Sequence, residues 1–322
     1  MRKLLKALGW ITAIFAVGCI ALVATFWVPD VPVNDLVPKW AQPPSQFLAI
    51  AGMDVHVRDE GPRDDPEPIV LLHGTSASLH TWEGWVSALK KERRVVRLDL
   101  PGFGLTGPDP KGDYSFDAYA RFVLAVLDAL KIERAVVGGN SFGGAVAIAT
   151  ALAAPAKVSR LILVDSGGYP LNSTSVPIGF RMASIPGARF LIGSVLPRFV
   201  IEKSLENVYG DPSKVTPELV DLYFDITRRQ GNRDALLARR SQAPSDGIAG
   251  RIKDVKAPTL ILWGGRDRLI PPASAQRFKA DLAVSEVVLF EGLGHVPMEE
   301  DPAATVAAAM AFLAKSADRV GR

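Results

Sequence analysis

Apolar positions along the chain fall into three patterns, and each predicts a different kind of element. Short, nearly continuous apolar runs at 47–50, 54–58, 69–73, 95–100, 135–138, 160–164, 259–263 and 286–290 have the length and β-branched content of strands. Runs such as IVLL, LILV and TLILW lack polar alternation, as strands do when a sheet is covered on both faces. Between them, stretches at 79–90, 116–130, 142–154, 273–281 and 303–315 are long enough for helices. The alternation predicts an α/β fold around an open, mostly parallel sheet with right-handed crossovers.

From 171 to 250 the strand pattern stops and only helical spacing remains. Leu219, Leu222, Tyr223 and Ile226 follow the i, i+3, i+4, i+7 rule, with Pro217 at a helix start. A helical insertion between two sheet strands would stand over the strand C-termini, where open α/β sheets bind ligands, as a cap. Its plainer reading is a helical elaboration packed on the core. The cap run Phe180, Met182, Ile185, Phe190, Leu191, Ile192, Val195, Leu196, Phe199 and Val200 is apolar. It either seals the cap to the core, lines an acyl pocket or touches a membrane.

The third pattern is at the N-terminus. No charge interrupts the 22 residues 7–28, which as a helix would reach about 33 Å, enough for a hydrocarbon core of about 30 Å. Trp10 and Trp27 lie near its ends, and Arg2, Lys3 and Lys6 precede it. The positive-inside rule then predicts a cytoplasmic tip (1–6), a single transmembrane helix (7–28) in the plasma membrane, and an extracytoplasmic body. A cleaved signal is the competing reading, although its apolar core is usually shorter and ends at small residues, whereas Phe26 and Trp27 are bulky. Cys19 is expected simply to pack within this helix. Residues 29–45 carry repeated prolines and read as an extended linker. The body then divides into a first core segment (46–170), the cap (171–250) and a second core segment (251–322).

Composition narrows the chemistry. The 322 residues hold 37 Lys+Arg against 34 Asp+Glu, a net of +3, which is no electrostatic footprint for nucleic acid. A single cysteine excludes a disulfide framework and a thiolate metal cage. No phosphate loop or metal cluster stands out, so no cofactor and no protein partner is implied. The expected partners are a small-molecule or lipid substrate and, through 7–28, a membrane.

Gly139-Asn140-Ser141-Phe142-Gly143 is a G-x-S-x-G with a strand-like run before it and a helix-like run after it. A serine at such a strand-to-helix turn projects above the sheet beside a helix N-terminus. A serine hydroxyl needs a base, and there are four histidines. His56 lies in an early strand and His80 in a helical stretch, while His73 opens His73-Gly74-Thr75, where it would shape a loop. His295, in the loop Gly292-Leu293-Gly294-His295 after the last strand, is the candidate base. Asp267, in the loop after 259–263, is the candidate orienting acid, with Asp165 as its rival. Asp99 reads as a structural turn residue.

The order Ser141, Asp267, His295, with His73-Gly74 ahead of the first long helix, resembles the α/β-hydrolase superfamily over about residues 46–322. The resemblance implies an α/β-hydrolase fold with a mostly parallel eight-stranded sheet. It also implies an oxyanion hole from the backbone N–H groups of Thr75 and Phe142, with His73 and Gly74 supporting that loop. Haloalkane dehalogenases and epoxide hydrolases of this fold use aspartate where Ser141 stands, so serine implies acyl transfer. HGTSASLHTWEGW, GNSFGG and GLGHVPMEEDP together look like capped bacterial esterases and lipases. GNSFGG is also similar to C–C bond hydrolases of ring-fission products, but those usually carry tryptophan directly after the histidine, where this chain has Val296. A cofactor-free haloperoxidase or perhydrolase would share the triad. A catalytically silent tethered binding module would share only the fold.

Overall fold

The computed structural model describes residues 2–170, 172–182, 195–242 and 248–320. Of the apolar cap run, Ile185, Phe190, Leu191 and Ile192 lie outside these, as does the side chain of Cys19. Eight strands form one sheet: β1 (Ser45–Ile50), β2 (Met53–Glu60), β3 (Ile69–Leu72), β4 (Val95–Leu98), β5 (Ala135–Asn140), β6 (Val158–Val164), β7 (Thr259–Gly264) and β8 (Ser285–Phe290). Their order is β1-β2-β4-β3-β5-β6-β7-β8. β1, β2 and β4 pair antiparallel, and every other pairing is parallel.

Both faces are covered, which is why the central strands are apolar throughout. Along β3, Val70 and Leu72 join one core with Val137, Leu163, Ile261 and Trp263. Ile69 and Leu71 join the other with Val136, Ile162, Leu260 and Leu262. The first face is closed by α4 (Phe116–Ala129) and α5 (Phe142–Ala153), and α4 starts on a Ser115 hydroxyl that accepts the Ala118 N–H. The second is closed by the turn Leu79–Trp82, α3 (Glu83–Leu89) and the terminal helix, through Trp82, Trp85 and Phe312. Trp85 is fully buried and its indole N–H donates to Thr305 Oγ1 at 2.9 Å, so its apolar burial of about 3 kcal/mol carries no stranded donor. The predicted helix at 79–90 is divided, with a 3₁₀ turn at Leu79–Trp82 followed by α3.

Between β6 and β7 stand only helices among the described residues: α6 (Ile178–Met182), α7 (Arg198–Val208), α8 (Pro217–Thr227) and α9 (Asn232–Gln242). Thr216 caps α8 by accepting the Leu219 N–H. Its buried face is Val220, Leu222, Asp225 and Ile226, turned slightly from the predicted stripe, with Leu219 only partly covered. Beyond β7 come α10 (Ala273–Asp281), α11 (Pro297–Glu300) and α12 (Pro302–Val320).

The N-terminal helix, α1 (Arg2–Thr25), is long and apolar enough over Leu8–Thr25 to cross a membrane, and none of the described residues in that stretch is buried; an N-terminal signal sequence would meet the same criterion. The linker is not the extended spacer its prolines suggested. Residues Val33–Trp40 form a helix, α2, that tolerates Pro38 and buries Leu36. It docks on α8, where Asp225 Oδ2 accepts from Lys39 Nζ and Trp40 Nε1, each at 3.0 Å. Asp30 accepts from Arg233 Nε at 3.0 Å, and Val31 exchanges backbone bonds with Arg228 and Gln230. Tertiary partners in the cap outweigh the weak local helix propensity of this proline-bearing segment.

Candidate active site

Ser141 is the hinge between β5 and α5, at φ 53° and ψ −118°. A non-glycine residue there carries about 1–3 kcal/mol of strain, which the surrounding bonds hold in place. The Ser141 N–H donates to Val164 O at 3.0 Å, and its carbonyl accepts from Gly144 and Gly167. The flanking glycines are needed because a Cβ on Gly143 would stand 2.4 Å from Leu72 O. One on Gly139 would stand 2.3 Å from Gly143. Both contacts are with backbone, so neither site can make room.

His295 and Asp267 are brought together from loops after β8 and β7. His295 Nδ1 donates to Asp267 Oδ2 at 2.7 Å, and both residues are buried. The other carboxylate oxygen, Oδ1, accepts the Leu269 and Ile270 N–H groups at 2.8 and 2.9 Å. Asp267 is therefore fixed in rotation before it meets the imidazole.

Asp165 lies beside this pair but in a different state. It is fully buried, its Oδ1 accepts the Gly264 N–H at 2.9 Å, and burial together with the Asp267 charge pushes its pKa well up. A neutral Asp165 is a poor orienting acid, whereas Asp267 has the direct bond to His295. Asp165, Asp267 and His295 also form a group compact enough for a metal, with ligand atoms within 4.8 Å of one another. Two of its three members already bond each other.

The histidine loop is clamped by residues that no motif announced. Asn140, the variable position of G-x-S-x-G, donates from Nδ2 to His295 O at 3.0 Å and to Val164 O at 3.1 Å. Glu300 Oε1 accepts the Gly294 N–H at 2.6 Å and the Gly210 N–H at 2.9 Å. His295 N–H donates to Val208 O, at the end of α7, at 2.7 Å. An acid a few residues past a glycine loop carries no sequence signal for this role.

The other histidines are occupied structurally. His73 Nε2 accepts the Leu100 N–H at 3.0 Å, so Nδ1 carries the proton and donates to Gly74 O at 2.7 Å. Burial lowers its pKa and keeps that neutral form, which braces the His73-Gly74-Thr75 turn. His80 is held to about 4, chiefly by burial. His56 forms a second Ser-His-Asp chain, with Nε2 2.8 Å from Ser45 Oγ and Nδ1 2.7 Å from Asp99 Oδ2. This chain is a brace. Ser45 Oγ also accepts Arg58 Nε, and Asp99 accepts the backbone N–H groups of Leu79 and Leu105. Although burial opposes ionisation, His56 beside it and the hydrogen bond between them hold the Asp99 carboxyl well below the usual range.

A cavity of about 150 Å³ joins the site together. Ser141, His295, Gly74 and Thr75 line it from the core, and Phe180, Leu196, Val200 and Leu236 are among its apolar cap walls. Phe142 is the first residue of α5, so its N–H has no intrahelical acceptor. A serine on a strained strand-to-helix turn, an imidazole–carboxylate pair and a capped apolar cavity at the strand C-termini define a hydrolase of the α/β type.

The chain belongs to the alpha/beta hydrolase family, whose model matches residues 69–309. Among curated proteins it is 29% identical, over 78% of this chain and 89% of the relative, to 2-hydroxy-6-oxo-2,4-heptadienoate hydrolase of Pseudomonas putida. Among solved structures it is similar to the meta-cleavage product hydrolase CumD of Pseudomonas fluorescens, with TM-score 0.72, 27% identity and coverage of 84% of this chain and 98% of that one. It is also similar to a membrane phospholipase A described as a bacterial virulence factor. Here the TM-score is 0.73 and the identity 25%, over 98% of this chain and 99% of that one.

Proposed function

We propose that this hydrolase cleaves carboxylic esters through an acyl-enzyme on Ser141 while α1 holds it at a membrane. The observation that carries the reading is the shared cavity, in which Ser141 and the Asp267-oriented His295 face a largely apolar wall. His295 Nε2 takes the Ser141 hydroxyl proton as Oγ attacks the ester carbonyl, then passes it to the departing alcohol. A water activated by the same nitrogen releases the acid. The N–H groups of Thr75 and Phe142 receive the oxyanion, each contributing about 3 kcal/mol in the transition state.

Lipid esters are favoured by how the chain leaves α1. Trp27 forms a β-bridge with Val195, Phe26 O accepts the Leu196 N–H at 3.2 Å, and the Phe26 ring meets Phe199 edge-on at 6.1 Å. Leu196 and Val200 then line the cavity. The similarity to a membrane phospholipase over 98% of the chain, a span that takes in α1, supports the same reading. In this arrangement residues 1–6 are cytoplasmic and the body lies on the far side of the plasma membrane.

The second reading, a C–C bond hydrolase on the same three residues, is supported by the curated relative and by CumD. A p-nitrophenyl ester series from acetyl to palmitoyl, run beside a vinylogous diketone acid, separates the two. Turnover of esters with none of the diketone acid supports the proposal, and the reverse assigns the C–C hydrolase. Deleting residues 1–28 should abolish liposome binding; binding that survives would place the membrane contact in the cap.

A further inference from the structure

Arg239 takes no part in the proton transfers at Ser141, yet it touches both residues assigned to the oxyanion hole. It sits on the cap helix α9 with its side chain half-buried against the core. Its Nη2 donates to Thr75 Oγ1 at 3.3 Å, and its guanidinium lies over the Phe142 ring, 4.4 Å from the centroid. Phe103 flanks it at 5.8 Å, and its Nε is buried with no partner within hydrogen-bond distance among the described residues. A planar guanidinium can lie on a ring while one of its edge N–H groups bonds a hydroxyl in a fixed fork, a geometry that a lysine ammonium, a point charge without a plane, does not hold.

The turn it grips needs such a grip. Ser76 is at φ 61°, and Gly74 packs so closely on Asn140 that a Cβ would come within 2.8 Å of Asn140 Oδ1. The Thr75 backbone is thus confined by a tight turn with a positive-φ neighbour, and its hydroxyl is held from the cap side by Arg239. We propose that Arg239 is a positioning residue that aligns the Thr75 and Phe142 N–H groups on the developing oxyanion and makes that alignment depend on the seated cap. The inference rests on the reading of Thr75 and Phe142 as oxyanion donors to an intermediate on Ser141.

Full-length Arg239→Ala and Arg239→Lys, in detergent micelles with p-nitrophenyl butyrate, should lose kcat by about tenfold or more, less than the loss of an oxyanion donor itself, with KM within about twofold. The Ki of a trifluoromethyl ketone analogue should rise by the same factor as kcat falls. Guanidinium ion should restore kcat to Arg239→Ala, whereas ammonium should not. Thr75→Val should show a similar loss, and the double variant no more than Arg239→Ala alone. Unchanged kcat overturns the proposal. So does a loss without guanidinium rescue, accompanied by a lower Tm and no parallel change in the analogue Ki, because a merely structural contact would behave that way. The phosphonylation rate of Ser141 by a fluorophosphonate gives a second readout, which should slow in step with kcat. Wild-type protein that reacts with the phosphonate but turns over no ester refutes the ester reading alone, and Arg239 is then judged on the phosphonylation rate. Wild-type protein that does neither refutes both.

Discussion

Replacing Asp267 by Asn keeps the shape of the site and reverses one hydrogen bond. The Leu269 and Ile270 N–H groups both point at Oδ1, at 2.8 and 2.9 Å, so the amide oxygen must take that position. The amide NH₂ then occupies the Oδ2 position, 2.7 Å from His295 Nδ1, and donates where the carboxylate accepted. His295 is forced into the tautomer with its proton on Nε2, and that nitrogen can no longer take the Ser141 proton. Loss of the correct tautomer and of the charge that stabilises the imidazolium should cost about 10⁴ in kcat, or about 5 kcal/mol. Asp165→Asn supplies the control, since an amide resembles the neutral acid that burial already favours there, and kcat should stay within about threefold. The assay is steady-state hydrolysis of p-nitrophenyl butyrate, with Tm measured on the same preparations. A loss below tenfold in Asp267→Asn, or a larger loss in Asp165→Asn, would refute the assignment of the orienting acid.

Asp165→Asn should also change how stability depends on pH. A carboxyl whose folded pKa is raised favours folding below its unfolded value near 4 and opposes it increasingly as pH rises toward the folded value. The variant's Tm should therefore gain on wild type between about pH 5 and pH 8, and a constant difference across that range would contradict the linkage. Ser45→Ala removes the hydroxyl of the second Ser-His-Asp chain and should leave kcat/KM within about twofold, because it does not line the cavity at Ser141; a tenfold loss would show that this chain takes part in catalysis. Asp30→Ala strips the buried Arg233 of its carboxylate partner and should destabilise the protein by about 1–2 kcal/mol, allowing for the partial exposure of Asp30. Unfolding followed by tryptophan fluorescence measures this, and an unchanged midpoint would mean that the linker is not held to the cap.

The elements governed by simple periodicity are legible in the sequence. Strands buried on both faces announce themselves as apolar runs, and a long helical stretch between two such strands reads most simply as an insertion over the sheet. Ser141, Asp267 and His295 are legible because each occupies a loop at a strand end in a fixed order, and because four histidines leave little choice. Contacts between distant segments are not. Proline content alone pointed to an extended 29–45, but the helix at Val33–Trp40 is stabilised by Asp225, 185 residues away from Trp40. Asn140 and Glu300 are ordinary polar residues in the sequence, and only the approach of backbone groups from other loops makes them clamps. Arg239 acquires its place in the same way, from a cap helix folding back onto the turn at Thr75.

Ester cleavage by this site proceeds through a covalent acyl intermediate on Ser141 in the proposed mechanism. Rapid acid quench of the full-length protein during turnover of a slow aryl ester, followed by intact-mass and peptide mass spectrometry, tests it directly. The expected result is one acyl group per chain, mapped to Ser141, absent in Ser141→Ala and accumulating when deacylation is slowed. An ester turned over with no adduct, or with the acyl group on Ser45 or another residue, would contradict it.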